Sequence, residues 1–510
     1  MVSQAITSGL SGVNGWRVDV EAFISRGLPA FDIVGLPSTA VKESKDRVRA
    51  ALLTSGYKMP PAKITVNLSP ADLKKEGTNF DLPIALVILQ ESYQEDMPLL
   101  SDTLLLGELS LNGKLISITG CLPMVISAME QGLNNVIVPT DNANELNCLQ
   151  GLNVYPAESL TEAIEHLSGR CPIQPLKQLS YNDLLKNKKT SHDLARVKGQ
   201  FLARTALETA AAGGHNMLMV GVPGSGKTML ARCLPGILPP MNYYEALETT
   251  RIHSSAGTLP AGSGLLTERP FRAPHHTASG ASIIGGGRLA KPGEISLAHN
   301  GVLFLDEFPE YDKKVIESLR QPLEDGIVTV SRVGAREEYP ANVMLIASMN
   351  PCPCGNFGSQ TKKCTCMESA ILRYLSRISG PMLDRIDIQV EMDSVSIEDI
   401  NSNSKPESSE TVRERVVKAR LIQQERYKDH GIYCNAQLSG KVFDKFCAVS
   451  QQCKQLLNAA VDKYGMSLRG YTRALKVART IADLAGREEI IPEDIAKALQ
   501  FRNLEGRYWR

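Results

Sequence analysis

The stretch Gly221–Thr228 has the residue types and spacing of a loop that holds the phosphates of a nucleotide. Its members are Gly221, Val222, Pro223, Gly224, Ser225, Gly226, Lys227 and Thr228. The glycines let backbone N–H groups wrap phosphate oxygens at the start of a helix, Lys227 reaches the β and γ phosphates, and the Thr228 hydroxyl ligates Mg²⁺. The apolar run Met217–Val220 precedes the stretch and helix-forming residues follow it, as this loop requires. The sequence therefore predicts a site for ATP and Mg²⁺.

Two later apolar runs end in polar residues that suit the same chemistry. The run 301–305 is followed by Asp306 and Glu307, and the run Val343–Met349 is followed by Asn350. Because the carboxyl ends of buried parallel strands meet at one edge of a sheet, we expect these side chains beside the phosphates. Asp306 is predicted to hold Mg²⁺, Glu307 to orient the attacking water, and Asn350 to position that water. Each run alone could be an ordinary core strand, but their order behind Gly221–Thr228 favours hydrolysis.

Four cysteines lie within fifteen positions. They are Cys352, Cys354, Cys364 and Cys366. Four thiolates can close a tetrahedral Zn²⁺ site, although the one-residue spacers are tighter than is usual for zinc. Structural zinc, reduced free thiols and a redox function remain as interpretations.

Composition excludes several classes of protein. The chain has 510 residues, of which 43% are hydrophobic and 22% charged, and its net charge is +1. No apolar stretch approaches the roughly 20 residues of a membrane span, and the N-terminus lacks a signal pattern. Eleven cysteines, an odd number, do not read as a disulfide framework. We therefore expect a cytoplasmic protein that does not contact a membrane and has about three or four domains.

Composition shifts divide the chain, and its patterns suggest the elements. The ranges are an N-terminal domain at 1–170, a polar linker at 171–192, a motor core at 193–395 and a C-terminal helical lid at 396–510. Strands are predicted at Trp16–Phe23, Ala30–Val34, Ala62–Leu68 and Asn135–Val138, a hairpin at Val328–Tyr339, and an amphipathic helix opening at Ser467.

Several motifs resemble those of a known family. They are Asp193–Gln200 (DLARVKGQ), Ala211–Asn216 (AAGGHN), Arg269–Thr277 (RPFRAPHHT), Gly293–Asn300 (GEISLAHN) and Asn350–Gly355 (NPCPCG). On these motifs the chain resembles the YifB/ComM group of magnesium-chelatase-like AAA+ ATPases over essentially its whole length. The resemblance implies an α/β AAA+ P-loop core with a helical lid, the Mg-chelatase-like C-terminal domain. It also implies an α+β N-terminal domain like Lon protease, of the ribosomal S5 domain 2-like kind.

The resemblance also implies a function and partners. ComM-type members are associated with natural transformation and act as hexameric helicases that drive branch migration of DNA junctions. We therefore expect a homo-oligomeric ring that binds DNA through loops in its pore. Two alternatives remain. One is a protein-remodelling or regulatory ATPase, and the other is a metal-chelatase motor, which requires a separate catalytic subunit and an integrin-like domain that we do not expect within this chain.

Four arginines are candidates for contact with the γ-phosphate. By resemblance Arg385 matches the arginine finger that acts on the neighbouring subunit's site, with Arg377 as the second candidate and a surface ion pair as the alternative. Arg469 matches the sensor 2 position of the lid. Arg473 lies on the same helical face, four residues on, and a solvated face is the alternative for both.

Two insertions are candidates for DNA contact. The segment 251–295 is long and Gly-rich and reads as a loop. It carries Arg269, Arg272, Arg288 and Lys291 around the glycines at 285–287. The hairpin Val328–Tyr339 carries Arg332 and Arg336 at its turn. Each arginine could instead be solvated or salt-bridged. His275 and His276 are adjacent, so on a strand they would face opposite ways and could not share a metal.

The N-terminal domain departs from the Lon pattern where that fold carries its catalytic groups. Asn79 stands at the position of the nucleophilic serine, and Met124 at that of the lysine. Without an activated hydroxyl and its base there is no nucleophile. We therefore expect no peptidase activity, and a role in assembly or substrate contact.

Overall fold

The computed structural model describes most of the chain. The described residues are 3–185, 192–287, 290–332, 335–359, 362–394, 406–464, 466–502, 504 and 508–509. Within them the chain forms two compact units. Unit 1 comprises residues 1–187 and 242–267, and unit 2 comprises 188–241 and 268–510.

The strands and helices are numbered in chain order. The strands are β1 (Ser3–Ser11), β2 (Asn14–Ser25), β3 (Ala30–Val34), β4 (Lys63–Ser69), β5 (Thr103–Leu105), β6 (Glu108–Leu109), β7 (Leu115–Ile116), β8 (Asn135–Pro139), β9 (Asn153–Ala157), β10 (Met217–Gly221), β11 (Phe271–Arg272), β12 (Gly285–Gly286), β13 (Lys291–Pro292), β14 (Val302–Leu305), β15 (Ile327–Arg332), β16 (Ala335–Pro340), β17 (Met344–Met349) and β18 (Ile388–Met392). The α-helices are α1 (Thr39–Thr54), α2 (Asp81–Glu91), α3 (Cys121–Glu130), α4 (Thr140–Ala143), α5 (Leu160–Leu167), α6 (Tyr181–Leu184), α7 (Phe201–Gly213), α8 (Lys227–Arg232), α9 (Leu234–Ile237), α10 (Tyr243–Ala256), α11 (Gly280–Ile284), α12 (Glu294–Leu297), α13 (Lys313–Ser318), α14 (Arg320–Asp325), α15 (Glu368–Leu375), α16 (Gly380–Leu383), α17 (Ser409–Tyr427), α18 (Gly440–Phe446), α19 (Gln451–Tyr464), α20 (Leu468–Leu484) and α21 (Pro492–Gln500).

Unit 1 is built on a seven-stranded mixed sheet in the order β3-β4-β2-β1-β5-β8-β9. The strands β2 and β4 bury alternate residues, as a sheet with one covered face requires. Helix α2 is buried along almost its whole length in the core of this unit, which explains why its sequence, Asp81–Glu91, is nearly continuously apolar. The sequence predictions of strands at Trp16–Phe23, Ala30–Val34, Ala62–Leu68 and Asn135–Val138 are confirmed, with shifts of a few residues at their ends.

A segment from the middle of the chain, 242–267, completes unit 1. Asn242 caps helix α10 in a capping box with Glu245, so the helix begins where the chain enters the unit. The backbone N–H of Gly120 donates to the carbonyl of Ser254 at 3.0 Å, and the Ser254 hydroxyl donates to buried Glu145 at 2.8 Å. The predicted core range, 193–395, did not set this segment apart.

Unit 2 contains a five-stranded parallel sheet in the order β11-β14-β17-β10-β18. The strands β10, β14 and β17 are buried at every position, which explains their uninterrupted apolar sequences. β10 is the first of these strands along the chain, but in the sheet it lies between β17 and β18, the fourth and the fifth. The strand order therefore reverses at β10. Open α/β sheets bind ligands beyond the carboxyl ends of the strands at such a reversal.

The C-terminal part of unit 2 is helical, as predicted, and runs from α17 to α21. Helix α20 begins after Ser467, whose side chain accepts a hydrogen bond from the Gly470 N–H, and it packs against α7, α17 and α21. The expectation of a single long loop at 251–295 is wrong. The start of that range continues α10, and Phe271–Arg272 forms the edge strand β11 beside β14.

The predicted hairpin is present as β15 and β16, which pair from Ile327 with Pro340 to Arg332 with Ala335. Three parts of the sequence predictions lie outside the described residues. They are residues 333 and 334 between these two strands, the basic residue Arg288, and part of the linker, 186–191. Among the helices that the structure describes, none is long and apolar enough to cross a bilayer.

Candidate active site for nucleotide hydrolysis

The loop between β10 and α8 has the backbone that its glycines allow. Gly224 and Gly226 have φ angles of 80° and 90°, in the left-handed region that favours glycine, and no atom lies within 4 Å of a Cβ built on either one. At Gly221 a Cβ would lie 2.4 Å from the Met392 carbonyl oxygen, so β10 and β18 approach closely there. The loop is therefore open on one side and tightly packed at its start.

The ammonium of Lys227 is held by three acceptors. Its Nζ donates to the carbonyl oxygens of Gly221 at 2.7 Å and Val222 at 3.0 Å, and to Asn350 Oδ1 at 3.2 Å. Burial lowers the pKa of Lys227 to about 8, against the opposing attraction of Asp306 and Glu307. The structure thus brings together Lys227 and the amide that follows β17.

A second contact links the loop to the acid that follows β14. The Thr228 hydroxyl donates to Asp306 Oδ2 at 2.8 Å. The other carboxylate oxygen of Asp306 accepts from the hydroxyl of Ser348, a fully buried residue of β17. Sequence reasoning missed Ser348, because a serine within an apolar strand gives no signal until the neighbouring strand is known.

Glu307 stands at the bend after β14. Its φ is 53°, its N–H donates to Asp306 Oδ1 at 3.1 Å, and its side chain is 54% exposed. His276 Nδ1 lies 3.2 Å from Glu307 Oε2, a contact that the sequence analysis did not predict. His275 and His276 do not lie on a strand, so the condition under which they would face opposite ways is not met. They follow β11 in irregular backbone, and their rings lie 4.1 Å apart.

The residues at this edge fit a nucleotide with Mg²⁺. Ser225 Oγ is buried in the loop without a hydrogen-bond partner, which a phosphate oxygen would supply. Thr228 and Asp306 offer hard oxygen ligands, which Mg²⁺ prefers. The donors and acceptors needed for both groups therefore already face one another.

The two candidate finger arginines are both paired within their own chain. Arg385 donates to the carbonyls of Pro381 at 2.7 Å and Arg320 at 3.2 Å and lies against the Glu324 carboxylate, with 12% of its side chain exposed. Arg377 is 48% exposed and pairs with Glu310 at 2.8 Å. Arg385 is thus the more enclosed of the two.

The two lid arginines differ in depth. Arg469 is 64% exposed and lies 3.4 Å from Asp384. Arg473 instead contacts Asp387, which also lies 3.1 Å from buried His215. Burial alone would raise the pKa of Asp387, but Arg473 and His215 hold it well below its usual range. Arg473 therefore joins the lid to the core, and Arg469 is the more accessible of the pair.

The basic residues of the first insertion have different surroundings. Arg269 donates to the carbonyls of Pro239 and Asn300, both at 2.7 Å. The contact with Pro239 links the two parts of unit 2 that precede and follow segment 242–267. Arg272 forms a bidentate pair with Glu294 at 2.6 and 2.8 Å. Lys291 is exposed. The salt-bridged alternative thus describes Arg272.

The four clustered cysteines converge. Cys352 Sγ lies 3.4 Å from Cys354 Sγ and 3.7 Å from Cys364 Sγ, and all four sulfurs lie within 4.8 Å of one another. Four thiolates at the usual zinc–sulfur distance stand about 3.8 Å apart. Hydrogen bonds from the backbone N–H groups of Thr365 and Asn356 lower the pKa of Cys354 to about 5. None of the eleven cysteines, all of which lie among the described residues, is in a disulfide.

In unit 1, the two positions compared with the Lon catalytic pair are both buried. Asn79 is buried and donates from Nδ2 to the Ser8 carbonyl at 2.7 Å. Met124 is buried among other apolar side chains of that unit. Neither side chain offers a nucleophile or a base.

Three sequence models of one family match the chain. They are "Magnesium chelatase, subunit ChlI" at 193–400, "Subunit ChlI of Mg-chelatase" at 20–142, and "Magnesium chelatase, subunit ChlI C-terminal" at 406–502. Together they reach into both units.

The parallel sheet and the site at its edge define a P-loop ATPase of the AAA+ class. The competence protein ComM of Haemophilus influenzae is 42% identical over 496 residues, which cover 96% of this chain and 95% of that protein. The protein YifB of Salmonella typhimurium is 42% identical over 503 residues, 98% of this chain and 96% of that protein. The chain belongs to the YifB/ComM family of magnesium-chelatase-like AAA+ ATPases. A 67 kDa magnesium-chelatase subunit of Heliobacterium mobile is more distant, at 25% identity over 60% of this chain and 46% of that subunit.

Proposed function

We propose that the chain is a subunit of a hexameric, ring-shaped DNA motor that uses ATP hydrolysis to drive branch migration during DNA recombination. The observation that carries the proposal is the convergence of Lys227, Asp306 and Asn350 from three neighbouring parallel strands. A relative of nearly the same length is named a competence protein, which supports recombination as the process. The DNA substrate and the ring go beyond the ATPase activity that the family implies.

Each residue of the site has a task in this proposal. Lys227 exchanges its carbonyl acceptors for the β and γ phosphates, and Thr228 and Asp306 hold Mg²⁺, which neutralises charge on the phosphate oxygens. Glu307 takes up and orients the attacking water, while Asn350 fixes its position relative to the γ-phosphate. Catalysis then depends on positioned charges rather than on a covalent intermediate.

Arg385 acts in trans in this proposal. It leaves Glu324 and approaches the γ-phosphate held by the neighbouring subunit, where a guanidinium stabilises the charge of the transition state. The test mixes two inactive variants, Lys227→Ala and Arg385→Ala. In a ring, about a quarter of the interfaces then pair an intact Arg385 with an intact Lys227, so hydrolysis partly returns. No recovery would contradict the role in trans.

The lid and the loops complete the motor. Arg469 is assigned the sensor 2 role, because it is accessible whereas Arg473 is committed to Asp387. DNA contact is assigned to Lys291 and to the hairpin β15–β16, where the Arg336 side chain is 72% exposed and pairs loosely with Glu338 at 3.4 Å. Such contacts to phosphates make binding independent of DNA sequence and weaker at high salt.

The cysteine cluster is proposed to hold one structural Zn²⁺ through Cys352, Cys354, Cys364 and Cys366. Sulfurs this close suit a single ion with four thiolate ligands and are far beyond the bond length of a disulfide. Elemental analysis of the purified chain should find one zinc per chain, lost when Cys366→Ser is introduced and kept when the exposed Cys171 is replaced by serine. A chain without bound metal would return the cluster to the free-thiol interpretation.

Unit 1 is assigned to the Lon-like fold without peptidase activity, because Asn79 and Met124 stand at the compared positions. Assembly or substrate contact is the role left for it. A cytoplasmic location likewise remains a prediction from the sequence.

The experiment that tests the DNA motor uses a labelled four-stranded junction. Wild-type protein with ATP and Mg²⁺ should convert it to branch-migrated product, and Lys227→Ala should form none. Turnover of ATP that ignores DNA and rises with an unfolded protein substrate would instead favour the remodelling function. ATPase activity that responds only to a partner subunit would favour the chelatase motor.

A further inference from the structure

The segment Asn350–Ser359 leads from the edge of the sheet directly into the cysteine cluster. It begins with Asn350, the acceptor of Lys227, and reaches Cys352 two residues later. The Gly355 N–H donates to the Cys352 carbonyl at 2.9 Å, which closes a tight turn around the first thiol pair. The cluster and the nucleotide site are therefore joined by a very short piece of chain.

A second contact joins the same segment to the phosphate loop. A Cβ built on Gly355 would lie 2.6 Å from both Cδ and Cγ of Pro223. The Gly355 backbone, whose φ is 79°, thus lies against the proline ring without room for a side chain. Because Pro223 is part of the phosphate loop, a movement of Gly355 toward the proline ring would displace that loop.

The first thiol pair is held partly by its own segment and partly by the segment that carries the second pair. The Phe357 N–H donates to Cys352 Sγ at 3.3 Å, and Cys354 Sγ accepts from Thr365, which lies between the second pair of cysteines. A metal ion would cross-link Asn350–Ser359 to residues 362–366 through all four sulfurs. Without a metal ion, this cross-link between the two segments is lost.

We propose that this metal-cross-linked segment positions the nucleotide site, with Gly355 and Asn350 as the two points of contact, so that metal occupancy sets the affinity for ATP. The inference rests on the ATP site and the zinc of the proposed function, and it adds a dependence of one on the other. Gly355 is a positioning residue here, acting through Pro223 on the loop that holds the phosphates.

The first arm of the test removes the metal from the full-length protein with a chelator. We measure the Kd of a fluorescent ATP analogue and the amide hydrogen exchange of residues 217–232. Metal removal should weaken nucleotide binding roughly tenfold and speed exchange in the phosphate loop, and added Zn²⁺ should restore both. Unchanged affinity and unchanged exchange in the metal-free protein would overturn the inference.

The second arm keeps the metal and breaks only the contact. Gly355→Ala forces the new Cβ against Pro223, and its matched control is Gly486→Ala, where φ is also positive at 68° and nothing lies within 4 Å. Both variants carry similar backbone strain, but Gly355→Ala alone should weaken nucleotide binding several-fold with one zinc still bound. Equal affinities in the two variants would contradict the positioning role.

The two proposals fail separately. A protein that binds nucleotide in a metal-dependent way but moves no junction would refute the DNA motor and keep the positioning role. A protein that migrates branches equally well with and without metal would refute the positioning role and keep the motor.

Discussion

Each unit of this protein buries a lysine in a turn that contains proline, and the two lysines differ in what surrounds them. Lys75 in unit 1 donates to the carbonyls of Pro70 and Leu73, and Lys227 in unit 2 donates to those of Gly221 and Val222. Burial lowers the pKa of both ammonium groups. A buried lysine bound by carbonyls is thus no sign of an active site in itself.

The neighbours decide between structure and chemistry. Lys75 is fully buried, and its Nζ lies 5.4 Å from the centre of the Trp16 ring. Lys227 has the acids Asp306 and Glu307 nearby and glycines that leave room for a ligand. The first arrangement can only hold a turn together, whereas the second can exchange its acceptors for phosphates.

Glu307, one of the two acids near Lys227, provides the strongest test of this difference. Glu307→Gln removes the base that orients water and keeps the side chain's size, so ATP hydrolysis should fall roughly 10²–10⁴-fold. Nucleotide binding, measured with a fluorescent analogue, should persist because Lys227 is intact. Hydrolysis near the wild-type rate would show that another group activates the water.

The lysines themselves give the next largest effect. Lys227→Met should lower hydrolysis by about 10²–10³-fold or more through the loss of phosphate contact, and Lys75→Met should leave the rate per folded molecule unchanged. Steady-state ATPase assays on the two variants measure this directly. Similar losses in both would erase the distinction between the turns.

The lysine whose loss leaves hydrolysis unchanged, Lys75, should have the larger effect on the free energy of unfolding. Lys75→Met leaves the Pro70 and Leu73 carbonyls without their donor, at a cost of about 1–3 kcal/mol. The check is the urea midpoint of unit 1, followed by Trp16 fluorescence in a Trp509→Phe background. Lys227→Met also leaves the Gly221 and Val222 carbonyls without their donor, but the phosphate loop is open on one side, where water can replace the ammonium, so the loss of stability should be smaller without nucleotide. An unchanged urea midpoint for Lys75→Met would contradict a structural role for Lys75.

His276 should have a moderate effect through Glu307. Loss of the 3.2 Å contact in His276→Ala leaves the carboxylate less well oriented, so kcat should fall about tenfold at unchanged KM. His275→Ala is the matched control, since its Nδ1 instead lies 2.9 Å from Thr277. A larger loss of kcat in the His275 variant would contradict the orienting role of His276.

The smallest predicted effect is the uptake of a fraction of a proton when nucleotide binds. With the pKa of Lys227 at about 8 in the free protein, phosphate binding should raise that pKa, so the complex holds more protons than the free protein above pH 8. Calorimetry at pH 8.5 in buffers of different ionisation enthalpy should show uptake of roughly half a proton, and affinity should fall as pH rises through 8. Proton release, or the same uptake in Lys227→Met, would contradict this.

The difference between the two lysines could be read from the sequence only in part. Gly221–Thr228 stood in an apolar-then-helical context, so its strand and helix were predictable, as were the strands before Asp306 and Asn350. These signals are local. The Lys75 turn carries no comparable pattern, because its ammonium lies near Trp16, a residue of β2 that is distant in sequence.

Features that depend on distant pairing were not predictable. Ser348 meets Asp306 only because β14 and β17 are neighbours, and His276 reaches Glu307 only because the chain after β11 returns to the same edge. Segment 242–267 was read as part of the core and part of a loop, since its apolar face gives no sign of which unit it packs against. Strand order and partner choice carry this information, and neither is local.

The most direct test of the account measures ATP hydrolysis with and without branched DNA in the wild type, Lys227→Met and Lys75→Met. The account predicts hydrolysis that DNA stimulates in the wild type and in Lys75→Met, and a large loss of hydrolysis in Lys227→Met. Hydrolysis that is unaffected by DNA, or that stays near the wild-type rate in Lys227→Met, would contradict it.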